Sequence, residues 1–128
     1  MEESVIRTYS PGTFAFLGDA VYSLCIREYL ARKANCQPDK LHRKSVRFVS
    51  ATAQAKAVTA LLPELSEEEK DIYRRGKNAH TQYTAKNATK KEYHEATGFE
   101  ALLGWLYLLE RHERIDELVE KAIEINEG

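Results

Sequence analysis

Cysteine and proline are scarce in this sequence, and so are long apolar runs and net charge; each scarcity removes a class of protein from consideration. Two cysteines, Cys25 in an apolar helical stretch and Cys36 near a loop, make neither a disulfide framework nor a thiolate metal site. The best apolar stretch, Ala101 to Leu109, is too short to span a bilayer. Met1 to Ser10 carries Glu2 and Glu3 and no apolar run, so it does not read as a secretory signal. The expected address is cytoplasmic, without membrane association. Strand-like alternation of β-branched residues is nearly absent, and so are internal repeats and low-complexity stretches. The three prolines, Pro11, Pro38 and Pro63, all fall at the edges of helical patterns. With 43% hydrophobic and 30% charged residues, the 128-residue chain has the balance of one folded domain spanning 1–128.

A net charge of −1 gives no hint of a polyanionic partner, but its distribution does. Arg32, Lys33, Lys40, Arg43, Lys44, Arg47 and Lys56 face only Asp39 in their segment, and no acid lies between Arg74 and Lys91. The acids gather instead in Glu64 to Asp71 and after Glu110. Such segregation suits a surface that meets phosphates, although a solvated helix face would look similar.

Helical periodicity dominates. Ser10-Pro11 predicts an N-cap and first turn for a helix reaching about Ala34, apolar around much of its circumference and therefore expected to be buried. A second helical region is predicted from Pro38 to Leu62, with Leu41, Val46, Val49, Ala53, Ala57, Ala60 and Leu61 facing inward. Ser66 to Glu69 forms a capping box opening a third helix that ends near Gly76. Asn78 to Thr89 reads as a basic loop. A fourth helix is predicted from about Lys90 to His112, and a last one from Ile115 to Asn126. The expected class is all-α, with about five to seven helices.

Two carboxylates sit in the wrong places for solvated side chains. Asp19 is the only charge in Phe14 to Tyr22, and Glu100 the only one in Phe99 to Tyr107. An ionised carboxylate in apolar surroundings is unfavourable by several kcal/mol unless a cation compensates it. That cation is either a basic side chain from elsewhere in the fold or a metal ion. If the two helices pack side by side, both acids reach one point, which suits a hard divalent ion. Gly18, Gly98 and Gly104 point the same way, because glycine within a helix marks close approach of another backbone or a ligand.

Phe16-Leu17-Gly18-Asp19-Ala20-Val21 and Phe99-Glu100-Ala101-Leu102-Leu103-Gly104 resemble the two acidic signatures of the ribonuclease III catalytic domain. Lys40-Leu41-His42, Val49-Ser50-Ala51 and Arg75-Gly76-Lys77-Asn78 fall between them in that family's order, so the likeness covers Ser10 to Leu109. No double-stranded RNA-binding domain follows, and this pattern is similar to the Mini-III branch. The resemblance implies a ribonuclease III-like fold, a homodimer, and Mg²⁺ (with Mn²⁺ able to substitute) held by Asp19 and Glu100 as metal ligands and catalytic residues. It implies endonucleolytic cutting of double-stranded RNA to leave 5′-phosphate and 3′-hydroxyl ends, in the maturation of precursor 23S ribosomal RNA and with a ribosomal-protein helper as a further partner. The chain departs from the broad family pattern where Gly12, Ala15 and Thr97 replace three of its acids, which leaves one metal per subunit as the preferred arrangement. Phosphate contacts are expected from Arg74, Arg75, Lys77, Lys86, Lys90 and Lys91, and sugar contacts from Asn78, His80 and Asn87. The rival readings are a catalytically inactive, dimeric RNA-binding protein of ribosome assembly and a metal-dependent phosphohydrolase acting on nucleotides.

Overall fold

The computed structural model describes residues 1–79 and 88–128. Seven α-helices are described: α1 Glu3–Ile6, α2 Pro11–Lys33, α3 Pro38–Val49, α4 Ala51–Leu61, α5 Glu67–Lys77, α6 Lys90–Leu108 and α7 His112–Glu127, with a 3₁₀ turn at Leu62–Glu64. No strand occurs among the described residues, and the all-α expectation holds.

Local chemistry sets most of the boundaries. The Ser10 hydroxyl accepts from the Thr13 N–H at 3.3 Å, with Pro11 in the first helical position of α2. Ser66 and Glu69 close the expected capping box on α5, and Thr89 and Glu92 close a second one on α6. Each such cap is worth about 1 kcal/mol. The predicted helix from Pro38 to Leu62 is two helices instead. Ser50 is extended (φ −61°, ψ 154°), ends α3, and caps α4 by accepting from the Ala53 N–H at 3.2 Å. A single inward face therefore does not run through both helices. Ser45 and Phe48 are the buried residues of α3, while Val46 and Ala60 are exposed. The fourth helix also stops earlier than expected. Glu110 takes a left-handed φ of 60°, and the Arg111 N–H returns to the Leu106 carbonyl at 2.9 Å.

The central helix is α6, not α2. From Glu95 to Leu106 every residue but Glu100 is buried, with α2, α4 and α5 packed around that stretch. Although α2 is apolar nearly all round, it buries only one side (Phe14, Val21, Tyr22, Ile26 and Leu30). Its other side leaves Phe16 84% and Leu24 67% exposed. Among the other aromatic residues, Phe14, Tyr22 and Trp105 are buried, and Tyr107 is exposed beside that open face.

Two arginines tie the periphery to this core. Arg114 on α7 grips the buried Glu69 carboxylate through Nε and Nη2, both at 2.9 Å, and also donates to the Glu64 carbonyl at 2.9 Å. Burial pushes the Glu69 carboxyl upward, but hydrogen bonds from Arg114 and from the Ser66 N–H win and hold it below the usual range. Arg47 donates to the Asn126 and Glu127 carbonyls at 3.0 and 2.9 Å, so one member of the basic 32–56 segment caps the end of α7.

Candidate active site

The site begins with two glycines. A Cβ on Gly18 would lie 1.7 Å from the Glu100 carbonyl oxygen and 2.9 Å from the Gly104 nitrogen, and a Cβ on Gly104 would lie 1.9 Å from the Phe14 carbonyl oxygen. Helices α2 and α6 therefore touch backbone to backbone, closer than any side chain permits. Asp19 follows Gly18 directly, and the crossing sets it beside Glu100. On the far side of α6, Gly76 of α5 packs against Gly98 and Ala101. The last turn of α5 thus lies at the level of Glu100.

The two carboxylates interact. Burial, followed by the neighbouring Asp19 charge, pushes the Glu100 carboxyl up from 4.5 to about 8. Like charges this close disfavour joint ionisation. Among the described residues, neither acid is in a salt bridge. The pair is asymmetric: Glu100 is mostly buried, whereas Asp19 is exposed. The expectation that Asp19 lies in a closed apolar environment is therefore corrected, because α2 turns its 16, 20 and 24 positions outward and Asp19 lies at the edge of that face.

Sequence reasoning passed over a third residue. Gln54 of α4 is 3% exposed, and its Nε2 donates to the Glu100 Oε2 at 3.2 Å and to the Val49 carbonyl at 2.9 Å. Two acceptors on one amide atom identify that atom as the nitrogen. The Gln54 Oε1 is buried and has no hydrogen-bond partner among the described residues. The signal lay in its register: Gln54 shares the inward face of α4 with Val58 and Leu61, where an amide has no reason to sit unless it binds something. Behind the pair, the Tyr22 hydroxyl donates to the Phe48 carbonyl at 3.1 Å, and its ring meets Phe99 edge-on at 5.3 Å. Burial, then the charges of Cys25 and Glu100, raise the Tyr22 phenol far above its ordinary value, so it stays a neutral donor.

Two carboxylates and an unpaired amide oxygen, with no basic side chain among them, form a donor set suited to a hard, hydrated cation. No group of three or more His, Cys, Asp or Glu residues is gathered for a metal among the described residues.

The basic candidates divide by location. Arg75 has no ion pair among the described residues, whereas Arg74 pairs with Asp71 at 2.8 Å in the open, a contact worth at most about 1 kcal/mol. Lys77 lies over the Tyr73 ring at 6.0 Å, and Asn78 is the exposed residue that ends α5. Lys90 and Lys91 are exposed in the first turn of α6, where the helix dipole disfavours a cation. The candidates His80, Lys86 and Asn87 lie outside the described residues. No helix among the described residues is long and apolar enough to cross a membrane.

Comparison with known proteins matches residues 12–111 to the Ribonuclease III domain family. The chain is 48% identical over 119 residues to the Mini-ribonuclease 3 of Brevibacillus brevis, covering 93% of this chain and 89% of that one. It is 45% identical over 116 residues to the Mini-ribonuclease 3 of Streptococcus pneumoniae, covering 89% and 91%. A crystal structure of a protein from Fusobacterium nucleatum superposes with a TM-score of 0.84 at 35% identity, covering 93% of this chain and 95% of the other.

Proposed function

Since the chain belongs to the ribonuclease III family, in its Mini-ribonuclease 3 group, and is an endoribonuclease, we propose that it cuts double-stranded RNA at a divalent-ion site formed by Asp19 and Glu100. One observation carries this reading: two acids from separate helices meet beside an amide whose oxygen is unpaired, and no lysine or arginine among the described residues pairs with them. Mg²⁺ is the proposed ion, with Mn²⁺ able to replace it, and one ion per subunit matches the two carboxylates available. When bound, such an ion activates water and stabilises charge on the scissile phosphate. Glu100 holds the buried side of the site, fixed by Gln54, while the exposed Asp19 faces the approaching backbone. Thr97 is tied to the Tyr93 carbonyl at 3.0 Å and contributes no acid.

A-form RNA is recognised through phosphates and 2′-hydroxyls across the minor groove. Lys90 and Lys91 lie about 15 Å along α6 from Glu100, from the rise per residue, and Arg75 and Lys77 lie at the level of the acids on α5. Arg74, Asn78, His80, Lys86 and Asn87 complete the proposed RNA surface. The exposed apolar face of α2 supports a homodimer. Phe16 projects beside a groove of about 230 Å³ lined by Leu17, Ala20, Leu24, Tyr107 and Ile115, so a two-fold axis here would seat each Phe16 in its partner's groove. The proposed substrate is precursor 23S ribosomal RNA in the cytoplasm, cut to 5′-phosphate and 3′-hydroxyl ends within a single catalytic domain spanning 1–128. A ribosomal protein that shapes this RNA is a further proposed partner.

The test is incubation with long duplex RNA, first with Mg²⁺ and then with EDTA. Chelator-sensitive cleavage is expected, and Asp19→Asn abolishes it while leaving duplex binding in place. Binding without any cleavage, at every protein concentration, would reduce the protein to an RNA-binding role.

A further inference from the structure

The Gln54 amide has satisfied hydrogen-bond donors and an unsatisfied acceptor. Its nitrogen straps the Val49 carbonyl, at the α3–α4 elbow, to the Glu100 carboxylate (2.9 and 3.2 Å). These two bonds fix the plane of the amide, so Oε1 has a fixed place one amide group from Glu100. That atom is buried and meets no N–H or O–H group among the described residues, although buried acceptors are nearly always paired. Rotating the amide gives no relief, because it would set the oxygen against the Val49 carbonyl oxygen. The same amide's nitrogen is on Glu100, and Asp19 stands next to that carboxyl. No described residue supplies its partner, and a donor from outside the protein fits the place.

We infer that Gln54 is a positioning residue for the divalent ion. Its nitrogen holds Glu100 in place, and its oxygen accepts a hydrogen bond from the ion's hydration shell. This rests on the proposed metal site and extends it from two helices to three, with Asp19 on α2, Glu100 on α6 and Gln54 on α4. The hydrogen bond orients a ligand that otherwise has free torsions, the role that residues supporting metal ligands commonly play. An acceptor placed beyond the ligands also favours a hydrated ion over a bare one.

The experiment uses the full chain without RNA. Mn²⁺ binding is followed by the loss of the free-ion electron paramagnetic resonance signal, for wild type, Gln54→Leu and Gln54→Glu, with folding checked by circular dichroism. Gln54→Leu is expected to bind Mn²⁺ roughly 10- to 100-fold more weakly, and saturating Mn²⁺ should raise its melting temperature by less than it raises that of the wild type. A merely structural strap would lower the melting temperature and leave affinity unchanged. Gln54→Glu keeps an acceptor and adds a third carboxylate, so it should melt lower without metal and gain more from Mn²⁺ than the wild type does. If folded Gln54→Leu binds within about twofold of wild type, the inference is overturned while the metal site stands. Should Gln54→Leu not fold, a Mn²⁺ gain for Gln54→Glu no larger than that of wild type overturns it. A wild-type protein that binds no Mn²⁺ removes both this inference and the reading beneath it.

Discussion

Raising the pH from 5 to 8 without divalent ions should destabilise this protein, and Glu100 should be the reason. Its carboxyl titrates at 4.5 when unperturbed and near 8 in the fold, first because it is buried and then because Asp19 is beside it. Below the unfolded value, both states carry the proton and the group contributes no pH dependence. Between the two values the folded state binds the extra proton, so stability falls as pH rises and the loss is complete above about 8. The full displacement corresponds to about 5 kcal/mol, and partial solvent access brings the expected loss to about 3 kcal/mol. For a chain of this size that is about 10 °C in melting temperature. Glu100→Gln cannot ionise and should melt above wild type at pH 8 in EDTA, with the two proteins converging towards pH 5. The four histidines are common to both proteins, so the difference between the curves isolates Glu100. Mn²⁺ takes the place of the proton and should restore wild type at pH 8 while doing little for Glu100→Gln. Thermal melts followed by circular dichroism, at four pH values with and without Mn²⁺, provide the measurement. Parallel curves for the two proteins, or a wild type indifferent to Mn²⁺, would refute the reasoning.

Gly18→Ala sets a methyl group 1.7 Å from a backbone carbonyl that cannot turn away; urea unfolding should show a loss of about 3 kcal/mol, and cleavage should fall as Asp19 and Glu100 part. Arg114→Leu strands the buried Glu69 carboxylate and should cost about 3 kcal/mol near neutral pH. Because Glu69 is held below its ordinary value, the stability it contributes is present above 4.5 and is lost as pH falls through its folded value, so the Arg114→Leu deficit should shrink in acid. Phe16→Asp combined with Leu24→Asp places charge on the open face of α2 and should shift sedimentation to monomer without lowering the melting temperature of the monomeric chain; a dimer that survives would move the interface elsewhere. Lys90→Glu with Lys91→Glu should weaken duplex binding and flatten its salt dependence by about two counterions, measured by fluorescence anisotropy at several salt concentrations.

Much of the candidate site could be picked out before the fold was known. Asp19 and Glu100 stood out because each was the lone charge in an apolar run, and Gly18 and Gly104 marked the crossing that joins them. Gln54 was hidden, because an amide in an alanine-rich helix announces nothing until its register against α6 is known. The exposure of Asp19 was misjudged for a related reason. Apolar residues all round α2 signal burial of every side, but they do not tell a protein core from an interface with a second copy. Ser50 was missed as a helix boundary, although a serine hydroxyl can cap wherever the chain turns extended.

The sequence alone determined what depends on near neighbours: the caps at Ser10 and Ser66, the all-helical class, and the two acids placed where no cation lay within a turn. Tertiary structure decided what depends on distance in space. It chose α6 as the centre, set Asp19 against Glu100, turned Gln54 towards Glu100, and spent Arg47 on the end of α7. Those outcomes follow from how closely helices can approach, which at this crossing is fixed by two residues that lack a side chain.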